Sequence, residues 1–377
     1  MRRYGIQIVL LCILLSALSG RVYAQETQIE TYVEELNLQS VQQSVDEMLP
    51  QDHLDIRNMV LQLCQGKVPF SLENVWRIME NTLFSEMNKQ RTRIVQILIL
   101  AIAASVFSNF MGAFSENRIQ EIAFYMVYLL LLTFLLESFG ELSQVAEKTM
   151  GNILEFMRLL LPVYLLAASL AAKQLTAVGF YEVTLFLITM VQSLIQYVLL
   201  PGINCYVMLA ILNNVTRESY LSRMTELLKD VVTWILRSLF ALVIGVQTIQ
   251  KLIFPVLDTM KNSIWIKAGG AIPVVGNTLS GVTETILSTA AVLKNAVGAG
   301  GMLVLLYICI RPVLRLMLCL LLYKLAGAVI QPVADPRFAE CIDKMADAVA
   351  LLLMAVAVTG VMFFLTIAIV TTAGGVV

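Results

Sequence analysis

From about residue 94 onward the chain is a succession of long apolar runs separated by short polar interruptions. A helix that crosses a bilayer needs roughly 20 apolar residues at about 1.5 Å each. By that measure about seven stretches qualify: 94–114, 119–138, 153–172, 178–200, 231–250, 301–323 and 348–373. The pattern predicts an all-α polytopic membrane protein with about seven transmembrane helices, six to eight, and places its multi-span domain over 94–377. Two apolar stretches resist this assignment. "PGINCYVMLAIL" (201–212) is too short to span alone, and 267–301 is rich in glycine.

The first residues follow a different pattern. Arg2 and Arg3 precede an apolar run at 6–18 and a small-residue end at Ala24, the layout of a secretory signal peptide over 1–24, cleaved after Ala24. An uncleaved short anchor is the alternative, and in either case residue 25 starts outside the cytoplasm. Residues 25–93 are polar and acidic, with Ile29, Tyr32, Val33 and Leu36 at helical spacing. Gly66 reads as a helix stop and Ser71 as the N-cap of the next helix. This predicts a small helical extracytoplasmic segment that leans on the membrane or a partner. Further on, 217–230 places Tyr220, Met224, Leu227 and Leu228 on one face with charges opposite. That is an amphipathic helix lying in the membrane interface before the 231–250 span; a protein–protein surface would carry the same pattern.

Composition sharpens the class. Hydrophobic residues make up 58% of the chain and charged residues 14%, outside the roughly 45–50% and 25% of soluble domains. Lipid is therefore the first partner the chain requires. A net charge of −1 without a basic cluster argues for no nucleic-acid partner. The cysteines at 12, 64, 205, 309, 319 and 341 form no CxxC pair and no metal spacing, and His53 is the sole histidine. No metal and no cofactor is expected. HExxH, Gly-x-Ser-x-Gly and nucleotide-binding motifs do not occur, so no catalytic residue is assigned and the chain is not read as an enzyme. Basic residues do not fix the orientation, because they divide almost evenly between the two sides of a seven-span layout.

Charges within the apolar runs carry the next clue, since they are costly there. Glu155 and Arg158 are spaced to pair along one helix face. Arg237 lies a third of the way into its span. Arg311 and Arg315 flank Pro312, one turn apart. They suit either an anion-attracting lining or snorkelling with structural pairing. Pro162, Pro255, Pro273, Pro312 and Pro332 each precede a valine in or beside an apolar run, which predicts several kinked or broken helices.

In 267–301, "KAGGAIPVVGNTLSGVTETILSTAAVLKNAVGAGG", Gly269, Gly270, Pro273 and Gly276 oppose a continuous helix. A helix is expected from a cap at Asn277 or Thr278 to about Gly298, carrying Gly281, Glu284 and Lys294, with a glycine hinge before the 301–323 span. Such a segment is re-entrant and pore-associated, or a closely packed span, or a surface loop. The candidate pore or packing residues are therefore Gly269, Gly270, Pro273, Gly276, Gly281, Glu284, Lys294, Gly298, Arg311 and Arg315.

The run "GGAIPVVGNTLSGVTETILSTAAVLKNAVGAGG", the "IRPVLR" span after it, the "ADPR" connection at 334–337 and the entry helix "LFSEMNKQRTRIVQILILAIAASVFSNF" (83–110) resemble the stage III sporulation protein AE family. The layout is similar across nearly the whole chain. The resemblance implies a multi-pass protein of the mother-cell membrane around the forespore, with residues 25–93 in the space between the two membranes. It implies a component of the transenvelope channel or secretion-like complex that links mother cell and forespore and is needed for forespore development. Other stage III sporulation A proteins, and through them stage II sporulation protein Q, would be its partners; a homo-oligomer is also open. The family is described as permease-like. The alternative is thus a stand-alone secondary transporter with its site at the broken glycine-rich helix. The resemblance brings no catalytic residues.

Overall fold

The computed structural model describes residues 33, 36, 38–50, 54–67, short pieces of 76–106, and 117–170, 174–215, 221–269, 276–332 and 336–373. The predicted signal peptide lies outside them, as does most of the 94–114 stretch. Among the described residues there are eight α-helices: α1 Gln39–Met48, α2 Ile56–Cys64, α3 Asn117–Leu170, α4 Gln174–Leu194, α5 Leu200–Val215, α6 Ser222–Gly269, α7 Gly276–Ile330 and α8 Pro336–Ala373. A five-residue π turn, Ile195–Leu199, joins α4 to α5.

Among the described residues four helices are long and apolar enough to cross a membrane: Tyr125–Ala167, Tyr181–Asn213, Thr289–Ile330 and Pro336–Thr371. Of the seven expected runs, 94–114 lies mostly outside the described residues, 231–250 lies within α6, which is not among these four, and two others merge. The runs at 119–138 and 153–172 belong to one helix, α3, of 54 residues, about 81 Å at 1.5 Å per residue. Its polar middle, Glu137 to Asn152, keeps good helix formers and so does not break the rod. The short stretch 201–212 continues α4 through the π turn. Pro201 explains that turn: its ring would collide with the carbonyl four residues back, and the wider π turn relieves the clash. Leu200 N–H accordingly bonds to Ile195 O, five residues back. Pro162 and Pro312 both sit inside helices that run on past them.

The helix α8 is the hub. It packs against α3, α5, α6 and α7. Contacts along its length set α7 antiparallel to it, with Gly360 against Cys309 and Gly327 against Ile342. Helices α3 and α6 run parallel to it. Tyr164 of α3 donates its hydroxyl to Val370 O at 2.8 Å, Gln247 of α6 reaches Thr366, and Lys229 near the start of α6 reaches Asp347. Because lipid is as apolar as leucine, tight van der Waals packing and a few buried hydrogen bonds hold such a bundle.

The N-terminal segment packs on the bundle. Gln42 of α1 caps α2, accepting from Ile56 N–H at 2.9 Å and donating to Leu54 O at 2.8 Å. Asp55 caps the same helix by accepting from Asn58 N–H. At the other end Gly66 takes φ +70°, Lys67 N–H bonds to Gln62 O and Gly66 N–H to Leu63 O. That left-handed glycine closure is the stop the sequence predicts. Val33, Leu36, Val41, Val45, Ile56 and Val60 are all buried. Helix α1 lies on α3, and α2 on α7.

Candidate functional site

Glycines 298, 300 and 301 lie inside α7, which passes through them without the predicted hinge. Each glycine in a helix interior costs about 1 kcal/mol against alanine. Close approach at Gly298 and Gly301 offsets that cost, and successive helix residues point to different neighbours. Gly298 faces α8, where an added Cβ would strike the Thr371 side chain. Gly300 faces α2, with Val60 at 3.5 Å and Leu63 at 3.7 Å from the same notional atom. Gly301 faces α3, and a Cβ there would lie 2.6 Å from Leu160. Four helices thus meet at one glycine knot. Lys294, one turn before it, is 2% exposed.

The remaining glycine-rich candidates are placed only in part. Gly269 ends α6 and Gly276 begins α7, while Gly270 and Pro273 lie outside the described residues. Gly281 and Glu284 sit in the first turns of α7, with their side chains outside the described residues. The structure brings Lys294 and Gly298 to the knot. It sets Arg311 and Arg315 farther down the same helix.

Arg315 is engaged from two sides. Its Nε lies 3.4 Å from Glu86 Oε2 of the N-terminal segment, and a terminal nitrogen lies 3.7 Å from Glu141 Oε2 of α3. Arg311 is half-buried one turn earlier, across Pro312. The expected Glu155–Arg158 pair does not form. Both residues are exposed, and Glu155 instead accepts from Ser44 Oγ of α1 at 3.4 Å.

A second charged group escaped the sequence reading. Asp347 of α8 takes Lys229 Nζ of α6 at 2.8 Å and Lys324 Nζ of α7 at 3.2 Å, and Lys324 also bonds to Asp343. Asp343 and Asp347 are four residues apart on one helix, with Lys324 just across the 334–337 connection. That i, i+4 spacing was the available signal. Beside it Tyr323 donates to Ser138 Oγ at 2.7 Å, both buried, and the rings of Tyr128 and Phe338 meet at 5.8 Å. No cluster of three metal-ligating side chains occurs among the described residues. On the N-terminal segment, burial pushes the Cys64 thiol up to about 11. These groups hold helices together.

The structure is that of an all-helical protein in which four helices are long and apolar enough to cross a membrane, packed around a buried glycine knot. The family model for stage III sporulation protein AE matches residues 54–374, and the chain belongs to that family. It is similar to the "Stage III sporulation protein AE" of Bacillus subtilis (strain 168), 26% identical over 320 residues that cover 84% of this chain and 80% of the relative. No solved structure matches.

Proposed function

We propose that the protein is an integral membrane component of the transenvelope channel or secretion-like complex that joins mother cell and forespore, and that forespore development depends on it. Membership of a sporulation family, with a match that runs from α2 to the end of α8, is the observation that carries this reading. Its seat is the mother-cell membrane around the forespore, with the N-terminal segment outside the cytoplasm. Its partners are other stage III sporulation A proteins and, through them, stage II sporulation protein Q.

The docking of that segment supports an assembly role. Ser44 reaches Glu155, Val60 and Leu63 abut Gly300, and Glu86 meets Arg315. A rigidly seated α1–α2 pair is a fixed platform for a partner. The permease alternative gains no comparable support, since Arg315 is already met by two carboxylates and Gly298 to Gly301 are filled by neighbouring helices. Deleting the gene in its own host and counting heat-resistant spores tests the role. Spore yield is expected to fall by orders of magnitude and to return on complementation; an undiminished yield refutes the proposal.

A further inference from the structure

Hydroxyl side chains in this bundle follow one habit. Thr149, Thr189, Thr225, Thr359 and Thr366 each donate to the carbonyl four residues back, at 2.6 to 3.0 Å. That closes off a polar group in apolar surroundings. Thr184 of α4 departs from it: the residue is 1% exposed and its Oγ1 has no partner among the described residues. On α6, fully buried Gln247 gives its Nε2 to Thr366 Oγ1 at 2.9 Å, but its Oε1 has no partner. Gln250, one turn on and 5% exposed, has no partner for either Oε1 or Nε2.

These residues share one level of the bundle. Gly202 abuts Val232, and Asn213 Oδ1 accepts from Leu221 N–H, so each step back along α5 and α4 is matched by a step forward along α6. Carried through the π turn, that register sets Thr184 beside Gln250, within about one residue. Helix α6 packs on both α4 and α8. Four polar atoms at one level of the packed helices α4 and α6 thus have no partner among the described residues, each bearing the full penalty of desolvation if left so.

We propose that Thr184, Gln247 and Gln250, with Thr366, form an internal water-binding site between α4, α6 and α8. The donor set selects the ligand class. Three oxygens offer acceptors while the Gln250 amide and the Thr184 hydroxyl offer donors, and a molecule that both donates and accepts satisfies all of them. A cation would face the amide hydrogens, and an anion would face three oxygens. The site is independent of the sporulation role.

Hydroxyl-radical labelling by a synchrotron X-ray pulse, on the full chain in lipid nanodiscs and read by mass spectrometry, tests it, because radicals form from water bound next to a side chain. Met362, whose carbonyl accepts from Thr366, is fully buried. Met150 is 1% exposed beside Thr149, which is already bonded. Met362 should be oxidised at least fivefold faster than Met150. Gln250→Met should bring the two rates within twofold while Gln250→Asn keeps most of the difference. Equal rates in the unaltered protein overturn the site, as does a difference that survives Gln250→Met. The comparison within the unaltered protein decides the matter even where a variant fails to fold.

Discussion

Single residues in this bundle differ sharply in how much they matter, and the glycines show it. At Gly298 an alanine methyl would overlap the Thr371 hydroxyl and lie 2.9 Å from its methyl, two branches on one carbon that cannot both swing away. Gly298→Ala should cost about 1–3 kcal/mol through overpacking, and Thr371→Ala should restore most of the loss. Gly140 and Gly245 have nothing within 4 Å of the same notional atom. Alanine there should be neutral or stabilise by about 0.5–1 kcal/mol. Thermal unfolding in detergent measures both, and equal effects at 298 and 140 would contradict the knot. The acidic pair offers a similar contrast. Asp347 holds two lysines and is 22% exposed, whereas Asp343 is 55% exposed and holds one. Asp347→Ala should cost about 1–2 kcal/mol, and Asp343→Ala below about 0.5 kcal/mol after solvent screening. Burial that lifts the Cys64 thiol to about 11 leaves little thiolate at neutral pH. Its alkylation should be slow at pH 7 and rise about tenfold per pH unit toward 10; a rate that levels off above about pH 8.5 would show an unburied thiol.

At the scale of elements, local signals were read well where they act locally. Gly66 ends α2 because only a glycine enters the left-handed region cheaply there, and the sequence shows it. The same residue type misled at 298–301. Propensity alone predicts a hinge, while the close contacts of α8 at Gly298 and of α3 at Gly301 make those glycines the reason the helix can sit where it does. Partners distant in sequence were likewise out of reach: Arg315 was marked by its position in an apolar run, but Glu86 and Glu141 were not. Gln247 and Gln250 stood in an apolar run as uncharged groups and so drew no notice beside the arginines. Two expected spans, 119–138 and 153–172, merged into one helix for a related reason, since a polar stretch such as 137–152 breaks a hydropathy pattern without breaking a helix. Docking of α1 and α2 is testable directly. Cysteines at 44 and 155, or at 60 and 300, should form disulfides under mild oxidation, seen as a mobility shift that reductant reverses. Absence of both crosslinks would detach the N-terminal segment from the bundle.

For the molecule as a whole, the account joins a helical membrane bundle, an N-terminal segment seated on it, and membership of the stage III sporulation protein AE family. The proposed role is assembly, in which α1 and α2, seated on the bundle, would meet other sporulation membrane proteins. The most direct test is to purify the tagged chain from sporulating cells in mild detergent, under conditions that keep a known membrane complex intact, and to identify what comes with it by mass spectrometry. Co-purification of other stage III sporulation A proteins, reduced by substitutions on the exposed faces of α1 and α2, is the predicted result. Recovery of the chain alone under those conditions would contradict the account.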